Sequence, residues 1–186
     1  MGLDDMFEVV RKAGEDYQSV QEKKEKLKKR SDEIRAKQRV IAPFRPLDCN
    51  LHKVLHYKYI VYRFGRIAVE FYQKMQKYLM DDLGAIFVEG QRDDSYVYGA
   101  YFVAPAESQK VDAVFRSLHF EKIELKDEFE GTPEQAYRSL DREADKIARE
   151  LDDLDKQAGE MLQNRAPQLI AARNRLESGR IGHFPR

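Results

Sequence analysis

Tryptophan is absent from this 186-residue chain, and cysteine occurs once. A single thiol, Cys49, excludes an intrachain disulfide and fits a reducing compartment. No apolar run approaches the roughly 20 residues that span a bilayer, and the first residues lack a signal-peptide pattern. Net charge is missing too, because 33 Lys/Arg balance 33 Asp/Glu. A chain that is neutral overall makes no global case for nucleic acid. What is present is charge of both signs, 35 % of all residues, which suits long exposed helices better than a compact globule. Tyr and Phe number ten each and concentrate between Phe44 and Phe129. A small aromatic-rich core is therefore expected between two charged flanks.

The first flank, residues 3 to about 41, reads as one helix. Its apolar or tolerated residues recur in steps of four and three at Met6, Val10, Ala13, Tyr17, Val20, Lys24, Leu27, Ser31, Ile34, Gln38 and Ile41. This is a heptad seam with polar interruptions at Lys24, Ser31 and Gln38. Pro43 and Pro46 end it. The second flank starts at Gly131-Thr132-Pro133-Glu134-Gln135, with Thr132 as N-cap, Pro133 at the first helical position and Gln135 completing a capping box. Its seam runs Leu140, Ala144, Ile147, Leu151, Leu154, Ala158, Met161. Pro167 should kink or break this helix, which Leu169, Ala172 and Leu176 allow to resume before Gly179 and Gly182 end it. The last residues, 179–186, are expected to be loose.

The flanks complement each other in charge. Residues 21–39 hold nine Lys/Arg against four Asp/Glu, and residues 132–163 hold five against nine. An antiparallel hairpin coiled coil follows, with Leu27 and Ile34 near Ile147 and Leu140, and with Lys24–Glu150 and Arg35–Asp141 as nearby ion pairs. Each exposed pair contributes only a fraction of a kcal/mol, about 0–1, so its main effect is on register. The basic run "KKEKLKKR" is then a solvated helix face beside an acidic partner rather than a nucleic-acid patch.

The middle region has its own order. Leu51 to Leu55 is a helical turn, Tyr57 to Phe64 a strand, Val69 to Met80 a helix, and Ala85 to Val88 a short strand. A polar turn at Gln91–Ser95 leads to a strand at Tyr96–Val103, a helix at Pro105–Leu118 and a last strand at Phe120–Leu125. The order β-α-β-β-α-β is ferredoxin-like. The fold class is α+β, with that lobe inserted at the tip of a long antiparallel helical hairpin. The domains are 1–43 for the first arm, 44–131 for the lobe, 132–178 for the return arm and 179–186 for the tail.

Candidate chemistry is sparse. In "RFGRI", Gly65 stands between Arg63 and Arg66 where the strand is expected to enter the helix. A dinucleotide loop needs several glycines and a P-loop needs Gly-Lys-Ser/Thr, so one glycine here favours a sharp structural corner. His52 and His56 lie four apart, a spacing that can bind zinc on a helix. Lys53 occupies the position where the metalloprotease motif has Glu, and no third ligand is evident, so a surface or packing role is expected. Asp81-Asp82 and Asp93-Asp94 fall at turns, where Asp bonds the local backbone, and no EF-hand spacing surrounds them. No nucleophile elbow is present, and no catalytic residue, cofactor or metal is expected. The strand "YVYGAYFVA" carries aromatics as an RNA recognition module would, but Tyr98 stands where that module wants Lys or Arg before Gly. A nucleic-acid-binding or other interaction module on a ferredoxin-like sheet is the alternative reading.

Four stretches carry a family resemblance: "LHYKYIVYRFGRI", "IFVEGQRDDSYVYGAYFVAP", "VDAVFRSLHFEKIELKD" and "EGTPEQAYRSLDREADKIAREL". In this order, over about residues 40–155, they resemble the cytoplasmic portion of subunit I of V-type (archaeal/vacuolar-type) ATP synthases, the counterpart of eukaryotic subunit a. The family's turn often reads Phe-Gly-Arg-hydrophobic-Pro, and Ala68 takes the proline position here. The resemblance implies a fragment holding the distal lobe and both helical arms, without the membrane half that carries the ion-path arginine. It implies a non-enzymatic stator role at the cytoplasmic face of the membrane. The implied partners are the peripheral-stalk heterodimer of E and G/H-type subunits and the remainder of subunit I, with no nucleic acid and no membrane insertion of this piece. Aromatics are enriched at interfaces, so Tyr96, Tyr98 and Tyr101 are the expected partner contacts, with Tyr101 facing opposite to the other two.

Overall fold

The computed structural model describes residues 2–78 and 82–181, with side chains placed for 2–77, 82–164, 173 and 174. It forms two compact units, one of Met1–Glu33 with Ala144–Arg186 and one of Ile34–Glu143. The lobe expected at 44–131 lies within the second. Both unit boundaries fall inside long helices, α1 (Leu3–Ile41) and α5 (Pro133–Ile181).

In the first unit, α1 and α5 segments run antiparallel. Val20, Ala144, Ile147 and Ala158 are buried, and Leu27, Leu151 and Leu154 are half-buried. Lys24 pairs with Asp155 rather than with Glu150. Leu27 instead lines a groove together with Glu150 and Leu154. The heptad seam repeats every turn or so, and spacing alone does not choose between adjacent registers. The assigned helix continues past Pro167, where a break was expected. The side chains of Leu169, Ala172 and Leu176, and the tail from Gly182 onward, lie outside the described residues.

The second unit holds α2 (Leu51–Leu55), β1 (Val61–Ala68), α3 (Val69–Tyr78), β2 (Ala85–Arg92), β3 (Tyr96–Val103), α4 (Ser108–Ser117) and β4 (Glu121–Lys122). The four strands make one antiparallel sheet in the order β2-β3-β1-β4. Element order and strand order together are ferredoxin-like, and the class is α+β as expected. β3 is bounded as the sequence indicates, whereas β1 begins four residues later than expected and runs on through Gly65 to Ala68. Tyr57–Ile60 have strand-like composition but no strand partner. Leu79 to Asp81, with the expected end of α3 at Met80 and the acid Asp81, lie outside the described residues.

Gly65 is therefore not a corner. It pairs with Gly99 on β3 and with Lys122 on β4. A Cβ on Gly65 would stand 2.2 Å from the Glu121 carbonyl oxygen and 2.5 Å from the Phe120 ring. One on Gly99 would stand 2.7 Å from the Phe87 ring. Two glycines side by side thus clear room for two aromatic rings.

Both faces of the sheet are covered. On one face, α3 and α4 bury Ile67, Tyr72, Met75, Phe87, Val97, Tyr101, Val111 and Phe115. On the other, Phe64 and Ala100 meet Ile41, Phe44, Leu47, α2, Leu125, Phe129 and Ala136. A ferredoxin-like order by itself implies only the first cover. Phe44 sits in a 3-10 turn (Ala42–Phe44) and packs edge-on to Phe64 with ring centroids 5.3 Å apart. A β-bulge between Glu89 and Arg92 brings Gly90 beneath that turn, where a Cβ would lie 2.4 Å from the Pro43 carbonyl oxygen.

Polar contacts tie α1 to α5 beside this core. The buried Gln38 amide accepts from Arg35 (2.6 Å) and donates to the Tyr137 carbonyl (3.3 Å). Arg35 reaches Asp141 at 2.8 Å, the expected ion pair. Arg45 grips Glu134 with two bonds, of 2.6 and 3.1 Å, and lies 4.0 Å over the Tyr137 ring. The capping box forms. Thr132 N donates to Gln135 Oε1 at 3.0 Å, and Gln135 N donates to Thr132 Oγ1 at 3.2 Å.

Gly65→Ala should destabilise the chain by about 1–3 kcal/mol, because backbone rather than a flexible side chain blocks the new methyl; urea unfolding measures it. A second outcome concerns acid. Hydrogen bonds from Arg45, then from Arg138, hold the Glu134 carboxyl at about 2. Its contribution to stability is complete above the unfolded glutamate value of roughly 4.3 and drains away as pH falls toward the folded value. The stability difference between wild type and Arg45→Met should therefore narrow across that interval, read from urea midpoints at stepped pH.

Candidate interaction surface

Alternation along β1 sends Arg63 and Arg66 to opposite faces. Arg63 lies on the α4 side, 3.3 Å from Asp112, which also accepts from the Tyr101 hydroxyl at 2.5 Å. Arg66 lies on the other side, 2.6 Å from Glu121, 3.4 Å from the Tyr98 hydroxyl and 3.9 Å over the Tyr96 ring. The two guanidiniums do not converge, and each already has a carboxylate. The first amide of α3 is also engaged, since Val69 N donates to Ser95 O at 3.0 Å. No anion cradle forms here. At the β2–β3 turn, Asp93 accepts from the backbone amides of Ser95 (2.8 Å) and Tyr96 (2.7 Å), and those bonds hold its carboxyl below the usual range. That is the local role expected of a turn aspartate.

The three tyrosines of β3 divide as alternation requires. Tyr96 is half-buried beneath Arg66, and Tyr98 is half-buried and edge-on to Phe44 at 6.3 Å. Tyr101 faces the other way, 3 % exposed and stacked on Phe115 at 3.8 Å. Burial, then the bond to Asp112, pushes its hydroxyl pKa up. A ring so enclosed offers nothing to a partner, so Tyr101 is a core residue and not a contact. β3 is a central strand with cover on both sides, which its aromatic content alone does not reveal. For the same reason the Tyr98 side of the sheet is no open platform for stacking bases.

The exposed apolar surface lies elsewhere. β2 is an edge strand, paired only with β3. Its Ile86 is 67 % exposed, and Val88 and Ile60 are also exposed. Ile60, Ile86 and Phe102 line an open groove of about 450 Å³. Tyr59, 85 % exposed, precedes Ile60 in the segment between α2 and β1. Period-two spacing of Ile86 and Val88 is visible in the sequence. Their edge position is not, because it depends on strand order.

Asp127, far from α2 in the chain, supplies what the His52/His56 pair lacked in sequence. Asp127 Oδ1 is 3.0 Å from His52 Nδ1, and Oδ2 is 2.7 Å from His56 Nε2. All three groups are exposed. The bonds to His56 and His52 hold the Asp127 carboxyl below the usual range. Cys49, half-buried, has its thiol pKa pushed up by burial and is not poised as a nucleophile.

No protein-family profile and no curated protein matches the chain by sequence. By structure, it is similar to the cytoplasmic N-terminal domain of subunit I, homolog of subunit a, of V-ATPase, known from a crystal structure. The TM-score is 0.57 at 12 % identity. The match covers 96 % of this chain and 60 % of that one. The likeness is one of fold. No described helix is long and apolar enough to cross a membrane.

Tyr101→Ala should cost about 3–5 kcal/mol as a buried aromatic truncation. Ile86→Ala on the exposed edge should cost less than about 1 kcal/mol. Denaturant unfolding of the two variants separates core from surface.

Proposed function

We propose that this chain is a non-catalytic stator part of a rotary V/A-type ATPase, a piece of the cytoplasmic portion of subunit I. It tethers peripheral stalks to the membrane sector and resists rotor torque while proton or sodium movement is coupled to ATP. The observation that carries this reading is the fold likeness over 96 % of the chain, a span that takes in both long helices and the sheet. The four resembling sequence stretches, in the same order, point the same way. In this reading the chain works at the cytoplasmic face of the membrane within a larger complex, and other subunits handle ATP.

The physical features suit a mechanical part. Segments 21–39 and 132–163 of the long helices carry opposite net charge, and the helices cross-pair through Arg35–Asp141 and Lys24–Asp155, which favours one alignment. The sheet has a core on each face, so load does not open a half-covered surface. The exposed apolar edge at Ile60, Ile86 and Val88, with Tyr59 beside it in the chain, is the contact we assign to the peripheral-stalk heterodimer. Tyrosine is enriched among the few residues that carry most binding energy at interfaces, and Tyr59 is the aromatic anchor here.

Calorimetric titration of this chain with the heterodimer at moderate salt should give saturable binding, weakened at least about tenfold by Ile86→Asp, equal to roughly 1.4 kcal/mol. Binding that ignores Ile86→Asp would move the contact off the β2 edge. Absence of the chain from the purified rotary complex of its source cells would sink the stator reading itself.

A further inference from the structure

The His52–Asp127–His56 cluster belongs to no part of the stator reading, and it brings together the donor types of a metal site. Two imidazoles and a carboxylate, from segments more than 70 residues apart, meet here, with each imidazole nitrogen against a different oxygen of the Asp127 carboxylate. One ligand atom from each lies within 4.8 Å of the others. Four-coordinate zinc, with bonds of about 2.0–2.1 Å, places its donors roughly 3.3 Å apart. The nitrogen–oxygen separations of 3.0 and 2.7 Å and the 4.8 Å limit on all three donors bracket that spacing.

The ligands are held ready by the core beneath them. Leu51 and Val54, in α2, are buried in the same cluster as Leu125 and Phe129, which flank Asp127. Asn50 caps α2 by accepting from Lys53 N at 3.0 Å, and Leu51 N donates to the Gly131 carbonyl at 2.9 Å. A tight turn, Glu128 N to Lys126 O at 2.8 Å, presents the carboxylate. Both segments are thus fixed before any ion arrives, and the ordering cost of binding is reduced. Each imidazole has a second nitrogen, Nε2 of His52 and Nδ1 of His56, to carry its proton when the first becomes a ligand.

We propose that His52, His56 and Asp127 form a binding site for a divalent late first-row metal ion, with Zn²⁺ as the principal occupant and water completing its coordination. Imidazole with one carboxylate selects such ions over Mg²⁺ and Ca²⁺, which require oxygen-rich cages. Exposure of all three ligands makes the ion exchangeable. Because the ion joins α2 to the chain just before α5, its occupancy clamps these two segments together.

The test uses the untagged chain with ZnCl₂ in calorimetry, CoCl₂ in visible absorption, and MgCl₂ as the control. Expected are saturation at one Zn²⁺ per chain, a cobalt spectrum of four-coordinate intensity, and a melting temperature that climbs with Zn²⁺ concentration. Outer-shell changes alone weaken metal sites about 10–100-fold, so His52→Gln, His56→Gln and Asp127→Asn should each cost at least about tenfold in affinity. The ion-free melting temperatures of the two histidine variants should match wild type, and these variants keep the test open if Asp127→Asn disturbs its turn. Failure of wild type to take up Zn²⁺, or equal uptake by the histidine variants, would overturn the site and leave a hydrogen-bonded surface triad.

Discussion

The second unit depends on the burial of Phe44 and Ile41 against the Phe64–Ala100 face of the sheet. Each fully buried side chain of this kind contributes about 1.5–3 kcal/mol. Without it, β1 and β3 would be half-covered strands with aromatics facing water. With it, the end of α1, the start of α5, α2 and the Leu125–Phe129 segment all converge on one cluster. The Arg45–Glu134 bonds, the Gln38 amide and the Thr132 capping box stand around that cluster and hold the chain ends that feed it. They add orientation more than energy, since every buried side-chain polar atom among the described residues finds a partner.

This cover decides which surfaces are available for function. It removes Tyr98 and Phe64 from the set of open rings and leaves the β2 edge as an exposed apolar feature of the sheet. It also positions the metal-site residues, because α2 and the segment bearing Asp127 lie on the outer side of the same core. Packing that looks purely structural thereby sets both the proposed partner contact and the proposed ion site.

Much of the fold was legible in the chain. The capping box at Thr132, the proline stops after Ile41 and the apolar spacing of β3 each rest on short-range chemistry, and each was read from a few neighbouring residues. Errors arose where the answer depends on partners far away. β1 was placed four residues early, since Tyr57–Ile60 and Val61–Phe64 are equally strand-like and only pairing with β3 distinguishes them. Gly65 resembles a corner in sequence because its true constraints, the Glu121 carbonyl and the Phe120 ring, lie far along the chain. β4 is only Glu121–Lys122, because backbone pairing with β1, and not the strand-like composition of Phe120–Leu125, sets its length. Asp127 gave no local signal as a partner of the histidines, and the burial of Tyr101 depends on the α4 helix that covers it.

The bulge in β2 has a further effect on how this sheet meets other chains. Its eight-residue edge is the long one, since the opposite edge ends in a strand of two. Gly90 turns that edge inward beneath the Pro43 carbonyl, so regular pairing with β3 breaks off after Glu89. Uninterrupted pairing covers Ala85–Glu89. The bulge shortens the regular template that the long edge offers to another copy of this chain, and it leaves the apolar side chains of the same strand in view.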